Sequence, residues 1–307
     1  MEEIQRKFII GDEWIYFKIY SGPKMLEQLL IHPVYDIVSQ VSTQSMISNF
    51  FFIRYQDRDG HHLRLRFRLK EPSMVGPLIH VFNKELGQSL SNKEIHNIQT
   101  DTYSRELERY GPFIGESEIL FGASSWQVMA NLRRTEELAA ESEAPDERWL
   151  WGASLMDELL NGFGLSPLQK SKLYESYYSM YEKEFAVDKN SKEMLKQKYR
   201  QMKGQLFDPS CFPVNTGLLR DVPYLAQGEV DAAISGIKDR STAVPLDLQG
   251  ESNLTLLLKS LMHMHYNRLF PTKQRLHELV VYYIFGTFYK SFDIVSNQSR
   301  QKAQANA

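Results

Sequence analysis

Residues 61–67 read HHLRLRF, and the alternation runs on through Arg68 and Leu69. Successive side chains of a β-strand point to opposite faces. As a strand, this stretch turns Leu63, Leu65 and Phe67 toward a core and lines up His62, Arg64, Arg66 and Arg68 on the other face. Such a row is either a solvated surface or a wall that holds an anion, since a guanidinium is a planar fork suited to carboxylate or phosphate. The neighbouring sequence supplies partners. EWIYFKIY (13–20) alternates Ile15, Phe17 and Ile19 against Trp14, Tyr16, Lys18 and Tyr20. FFFIRY (50–55) leads into the polar run Gln56-Asp57-Arg58-Asp59-Gly60, which predicts a hairpin loop before an antiparallel return. That partner strand brings Arg54 and Tyr55 close to the row.

Helical spacing takes over elsewhere. MLEQLLIHPVYDIVSQV (25–41) is helical but interrupted by Pro33. From about residue 72 helices dominate: PLIHVFNKELGQSL, SEILFGASSWQVMANLRRTEELAA, then a charged loop ESEAPDER, then WLWGASLMDELLNGFG. Ser166-Pro167 opens a further helix, and helices continue to about 206. FDPSCFPVNTGLLRDVP is irregular. LTLLLKSLMHMHYNRLF (254–270) is helical, Pro271 breaks it, and TKQRLHELVVYYIFGTFYKSF makes a final buried helix. The expected fold is α+β, an N-terminal antiparallel sheet packed with a predominantly helical C-terminal part. One domain over 1–307 is expected, with about 1–70 strand-rich, about 72–290 mostly helical, and a frayed polar tail at 296–307.

A formal net charge of −2 over 307 residues argues against bulk nucleic-acid binding. With Cys211 as the one cysteine, an intramolecular disulfide and a thiolate zinc cluster are both excluded, which fits a reducing cytoplasm. The start, MEEIQRKFII, is not a secretory signal, and LVVYYIFGTFY near 279–289 is too short for a membrane span. No P-loop, GxGxxG or GxSxG elbow occurs. His263 and His265 would chelate a metal only on a strand, and their surroundings read as helix. No metal and no cofactor are expected.

Two further patches could carry chemistry. In YSRELERYGP (103–112), Glu106 stands three residues from both Tyr103 and Arg109, and Gly111-Pro112 ends the turn. Alone, this reads as an ordinary surface ion pair. In SLMHMHYNRLF (260–270), His263 and Asn267 share a helix face with Ser260 one turn earlier. That is a satisfied core histidine or a general acid/base in the right titration range.

Taken in this order, the patches resemble the C-terminal elimination domain of class I lantibiotic dehydratases, also found as separate proteins in thiopeptide-type bacteriocin biosynthesis. The resemblance rests on Trp14 to Tyr20, Phe52 to Asp57, His62 to Phe67, Tyr103 with Glu106 and Arg109-Tyr110-Gly111, a phenylalanine-led helix at Phe121, and His263-Met264 followed by Asn267-Arg268. It runs from about residue 10 to 290. Two positions depart from the family pattern: Ser124 stands where the helix commonly has Asp, and Pro112 where a second glycine is common.

The resemblance implies a lyase. Another domain or protein esterifies a serine or threonine of a precursor peptide with glutamate from glutamyl-tRNA. The elimination domain then removes the α-proton and expels glutamate, leaving dehydroalanine or dehydrobutyrine. On this reading Arg64, Arg66 and Arg109 bind the glutamyl group or the enolate, and His263 is the acid/base. Arg54, Glu106, Asn267 and Arg268 are substrate-binding, with Glu106 orienting Arg109, and Glu278 is a further candidate. The much larger glutamylation domain of full-length members has no counterpart in these residues. The expected partners are therefore the glutamylated precursor peptide and a separate glutamyl-tRNA-dependent glutamylating protein, with direct nucleic-acid contact not expected. A homodimer and a hetero-complex are both open. Two alternatives stand beside the eliminase: a thiopeptide pyridine synthase performing a formal [4+2] cycloaddition on the same fold, and a non-catalytic leader-peptide-binding subunit.

Overall fold

The computed structural model describes residues 4–139, 147–213, 217–241 and 253–305. Its centre is the hairpin that the alternation predicts. Strand β3 (Ile47–Asp57) pairs antiparallel with β4 (Gly60–Leu69), and Asp57 lies opposite Gly60. The loop is therefore tighter than the five polar residues suggested: only Arg58 and Asp59 turn the chain. Gly60, at φ 121°, takes a conformation that a side chain disfavours.

Strand β2 (Trp14–Tyr20) pairs antiparallel with the other side of β4, placing Tyr16 opposite Arg66 and Lys18 opposite Arg64. A fourth strand, β5 (Asn97–Asp101), completes the order β3-β4-β2-β5. It lies in the region read as helical, because NIQTD carries no alternation of apolar and polar residues to announce it. A two-stranded ribbon joins β1 (Lys7–Phe8) to β6 (Tyr103–Ser104), and both of these strands also escaped the pattern.

Contacts divide the chain into two compact units. The first comprises residues 1–144 and 217–272, the second 145–216 and 273–307. In the first unit, α1 (Pro23–Leu29) and α2 (Tyr35–Thr43) are joined by a π-helical turn, Leu30–Val34. Pro33 lies in that turn. Its missing N–H and its ring are absorbed by one wider turn, so the helix continues rather than breaking. Helix α3 (Val75–Ser91) follows the hairpin, and Phe82 stacks on Phe17 of the sheet's apolar face, 4.2 Å between ring centres. A single turn, α4 (Leu107–Tyr110), precedes the long α5 (Ile114–Ala139).

The second unit holds α6 (Glu147–Gly162), α7 (Pro167–Glu184) and α8 (Lys189–Leu206). Ser166 caps α7 with the reciprocal Gln169 bond expected of a capping box. The expected loop at ESEAPDER lies almost wholly outside the described residues. Helix α9 (Glu229–Ser241) and α10 (Asn253–Leu269) return to the first unit, and α11 (Gln274–Ala305) belongs to the second. Helix α11 runs through most of the polar tail that composition left frayed. Among the described residues no helix is long and apolar enough to cross a membrane.

Strand β3 is an edge of the sheet, and an open edge invites unwanted pairing. Here side chains of α5 and α10 seal it. The Phe52 N–H donates to Ser125 Oγ (3.1 Å), and the Phe52 carbonyl accepts from Arg268 Nε (2.7 Å). The Asn267 amide imitates a paired residue: its Oδ1 accepts from the Arg54 N–H (3.0 Å) and its Nδ2 donates to the Arg54 carbonyl (3.1 Å). Helix α5 approaches so closely that a Cβ at Gly122 would collide with Asn49 Oδ1 and stand 3.2 Å from the Phe50 carbonyl oxygen.

Candidate functional site

The arginine row is not solvated decoration, and its members differ. Arg68, at one end, is half-exposed and donates through Nε to Glu13 (3.0 Å). Arg64 lies with its guanidinium 3.5 Å from the centre of the Tyr55 ring and donates through Nε to His62 Nε2 (3.1 Å). His62 is fully buried, and its Nδ1 faces the Gly60 carbonyl at 3.2 Å, so its two contacts define the neutral tautomer with the proton on Nδ1. Burial holds its pKa below the ordinary histidine range.

Arg66 is the exceptional member. It is 8% exposed and boxed by three rings, Tyr16 at 4.6 Å, Phe51 at 5.2 Å and Tyr103 at 5.0 Å. Its Nε meets no hydrogen-bond acceptor among the described residues. Burial pushes its pKa down, while the Tyr103 and Tyr16 oxygens pull the other way. A buried cation ordinarily has a built-in carboxylate, and among the described residues none bonds to Arg66.

A second buried arginine approaches from the β3 edge. Arg268 is fully buried, its guanidinium 5.0 Å from the Phe121 ring centre, and its Nη2 also meets no acceptor among the described residues. Burial depresses its pKa to about 9, and the positive charge of Arg66 acts in the same direction. Tyr110 offsets part of this. The Tyr110 hydroxyl is itself pushed up to about 12 by burial, with Arg109 and Arg268 opposing and Glu106 assisting. Arg66, Arg268, Tyr16, Tyr103 and Tyr110 thus form a cationic, aromatic, largely dry cluster.

Glu106 and Arg109 sit on the exposed flank of this cluster, 3.4 Å apart and outside any long helix: Glu106 precedes the single turn that carries Arg109. Gly111, at φ 50°, lets the chain leave that turn for α5. His263 is half-buried on α10, one turn ahead of Asn267. Helix α10 is continuous across His263 and His265, and His265 turns to Ser124, Nδ1 to Oγ 3.0 Å.

Three expected site residues have other engagements. Arg54 points to the face opposite Arg66 and is buried, with Nε donating to the Arg268 carbonyl (2.9 Å) and Nη2 to Glu27 (3.1 Å). Asn267 is committed to the Arg54 backbone. Glu278 belongs to the second unit, where its Oε2 accepts from Tyr181 (2.8 Å) and Tyr282 (2.7 Å).

The sequence reading missed a buried trio beside the cluster. Glu118 of α5 accepts from Arg105 through both oxygens, at 2.7 Å each, and from the Tyr103 hydroxyl at 2.7 Å. Tyr103 and Arg105 fell within the quoted YSRELERYGP motif, but Glu118 sits mid-helix with no motif to mark it.

The family described as lantibiotic biosynthesis dehydratase C-term matches residues 14–289. The nisin biosynthesis protein NisB of Lactococcus lactis subsp. lactis is 30% identical over 131 residues, 42% of this chain and 12% of NisB. The subtilin biosynthesis protein SpaB of Bacillus subtilis is 28% identical over 137 residues, 43% of this chain and 13% of SpaB. The aligned segment is thus a small fraction of either relative. Among solved structures, the tRNA-dependent lantibiotic dehydratase MibB from Microbispora sp. 107891 superposes with a TM-score of 0.67 at 20% identity, covering 92% of this chain and 28% of MibB. The pyridine synthase TbtD from thiomuracin biosynthesis gives 0.57 at 16% identity, covering 90% of this chain and 97% of TbtD. These superpositions establish a shared fold, and the family match extends across both units. The chain belongs to the lantibiotic biosynthesis dehydratase C-terminal family.

Proposed function

We propose that this chain is a lyase that expels glutamate from glutamylated serine or threonine of a precursor peptide. The observation that carries the reading is the pair of buried arginines, Arg66 and Arg268, each with a guanidinium nitrogen that meets no acceptor among the described residues. A dicarboxylate leaving group would supply what they lack. The Cα–H bond breaks as a base takes the proton, the electron pair forms the Cα=Cβ bond, and the Cβ–O bond breaks to release the glutamate carboxylate. His263 is the proposed acid/base. Arg66, with Arg64, stabilises charge developing on the enolate and on the departing carboxylate. Arg109 and Glu106 guard the exposed flank. A precursor peptide glutamylated by a separate protein, and a cytoplasmic setting, follow as parts of the same proposal.

The second reading is a thiopeptide pyridine synthase, since TbtD shares this fold. A cycloaddition of two dehydroalanines needs no acceptor for a dicarboxylate, so the buried arginine pair favours elimination. Mass spectrometry on a synthetic peptide carrying one glutamyl-serine ester decides. Loss of glutamate with formation of dehydroalanine, without tRNA or ATP, is expected. An unchanged ester, with turnover of a bis-dehydroalanine peptide, would replace the eliminase by the synthase.

A further inference from the structure

Arg66 owes its open valence to its neighbours. Three rings hold its guanidinium, and of these only Tyr103 has a hydroxyl tied to a buried carboxylate, donating to Glu118 Oε1 at 2.7 Å. Phe8, Trp14 and Phe51 pack against the same ring, at 5.8, 5.3 and 5.9 Å between centres. Glu118 is 2% exposed, so its charge needs a partner. That partner is Arg105, which grips both oxygens and is held in turn by the Phe8 ring at 4.7 Å and the Gln5 carbonyl at 3.1 Å. The carboxylate nearest the Tyr103 hydroxyl is therefore already neutralised.

We propose that Glu118 and Arg105 are positioning residues for the anion site: Glu118 fixes the Tyr103 ring against Arg66, and Arg105 cancels the Glu118 charge so that Arg66 keeps its own for a bound carboxylate. This rests on the elimination reading only in taking that carboxylate to be the glutamyl group. The division of labour is physical. A buried ion pair with bidentate geometry is electrically quiet toward its surroundings, whereas a lone buried carboxylate would repel an incoming anion across a poorly screened interior. The ribbon β1–β6 thereby becomes part of the site, since β6 and the residue after it carry Tyr103 and Arg105, and β1 supplies Phe8.

The test uses the full chain and glutarate as the probe. The Arg66 Nε–H resonance, assigned by its loss in Arg66→Lys, lies within the ring current of Tyr103 and reports on the box without any ligand. Glu118→Ala should move it; Glu118→Gln, which keeps an acceptor for Tyr103, should leave it in place. Arg105→Met should weaken glutarate binding at least tenfold by calorimetry. Arg105→Met combined with Glu118→Gln should recover to within threefold of the unaltered protein, because the stranded charge is gone while the acceptor stays. A packing role for Arg105 alone gives no such recovery. A double variant as weak as Arg105→Met, or an Arg66 resonance indifferent to Glu118→Ala, overturns the proposal. Should the unaltered protein fail to bind glutarate, the glutamyl assignment falls, and the ligand-free resonance still decides whether Glu118 positions Arg66. Should Glu118→Ala not fold, the Arg105→Met pair decides alone.

Discussion

Both units bury cations, and Lys170 of the second and Arg66 of the first are treated in opposite ways. In the second unit Lys170 is 4% exposed and donates to Asp157, which also accepts from Tyr289 (2.5 Å) and Asn161 (2.8 Å), while Asn161 Oδ1 accepts from Lys170 (2.6 Å). Burial lowers the Lys170 pKa and Asp157 opposes it. These residues line a cavity of about 200 Å³ whose other walls include Phe212, Phe288 and Phe292. There the charge is closed off by built-in partners and contributes to the fold. In the first unit Arg66 and Arg268 are buried as well, and the described chain leaves a nitrogen of each unanswered. Burial of a charge is thus no signature of function by itself; burial with the counter-charge left out is.

Removing a built-in partner should cost the most. Asp157→Ala strands the Lys170 ammonium and is expected to lower stability by about 3–5 kcal/mol, read from urea unfolding, with elimination per folded molecule unchanged. A loss below about 1 kcal/mol would erase the contrast between the units. Arg66→Met should do the reverse, lowering kcat about 10²–10³-fold while the melting temperature holds or rises, because an unpaired buried charge is gone. His263→Ala is expected to abolish turnover of the glutamyl ester and leave circular dichroism unchanged; a variant that still eliminates at the original rate removes His263 from the proton transfer.

The next effect is a pH dependence. His62 has a folded pKa below its unfolded value. Between the two the unfolded chain binds more protons, so stability rises with pH there and falls on acidification below about 6.5. Asp57, Arg64 and Lys18 are the charged groups acting on it. Protonation also removes the acceptor that holds Arg64. His62→Gln should flatten the acid limb of the unfolding profile. Smallest is the exposed pair: Glu106→Gln should change stability by about 1 kcal/mol or less, so any larger loss of elimination isolates its role in the site.

Period-two alternation made β2 and β4 legible, together with the division of β4 into an apolar face and a cationic one, and the polar run ending at Gly60 made β3 legible as the other arm of a hairpin. The α+β class followed from it. Strand β5 was invisible because a short polar edge strand needs only a partner's backbone, not a pattern of its own. Helix α10 was legible as a helix, yet its job at the β3 edge was not: nothing local in HYNRL says that Asn267 will imitate a strand or that Arg268 will reach the Phe52 carbonyl. Glu118 was hidden for the same reason, since its partners Tyr103 and Arg105 reach it only after Gly111 redirects the chain into α5. Arg54 was expected near the row, on the partner strand; the register turns its side chain to the face of Leu63 and Leu65, which closeness along the chain does not reveal.

The seal on β3 has a consequence for synthesis. Asn267 lies 213 residues beyond Arg54, and Arg268 lies 216 beyond Phe52. Between them the ribosome must make residues 145–216, which belong to the other unit. Contacts of such sequence separation form slowly. Until residue 268 emerges, β3 is a strand with free backbone groups on one side, the kind of template that recruits neighbouring chains. The residue that completes the arginine pair, Arg268, also helps to end this exposure, so the nascent chain closes its open edge and assembles the pair in the same event.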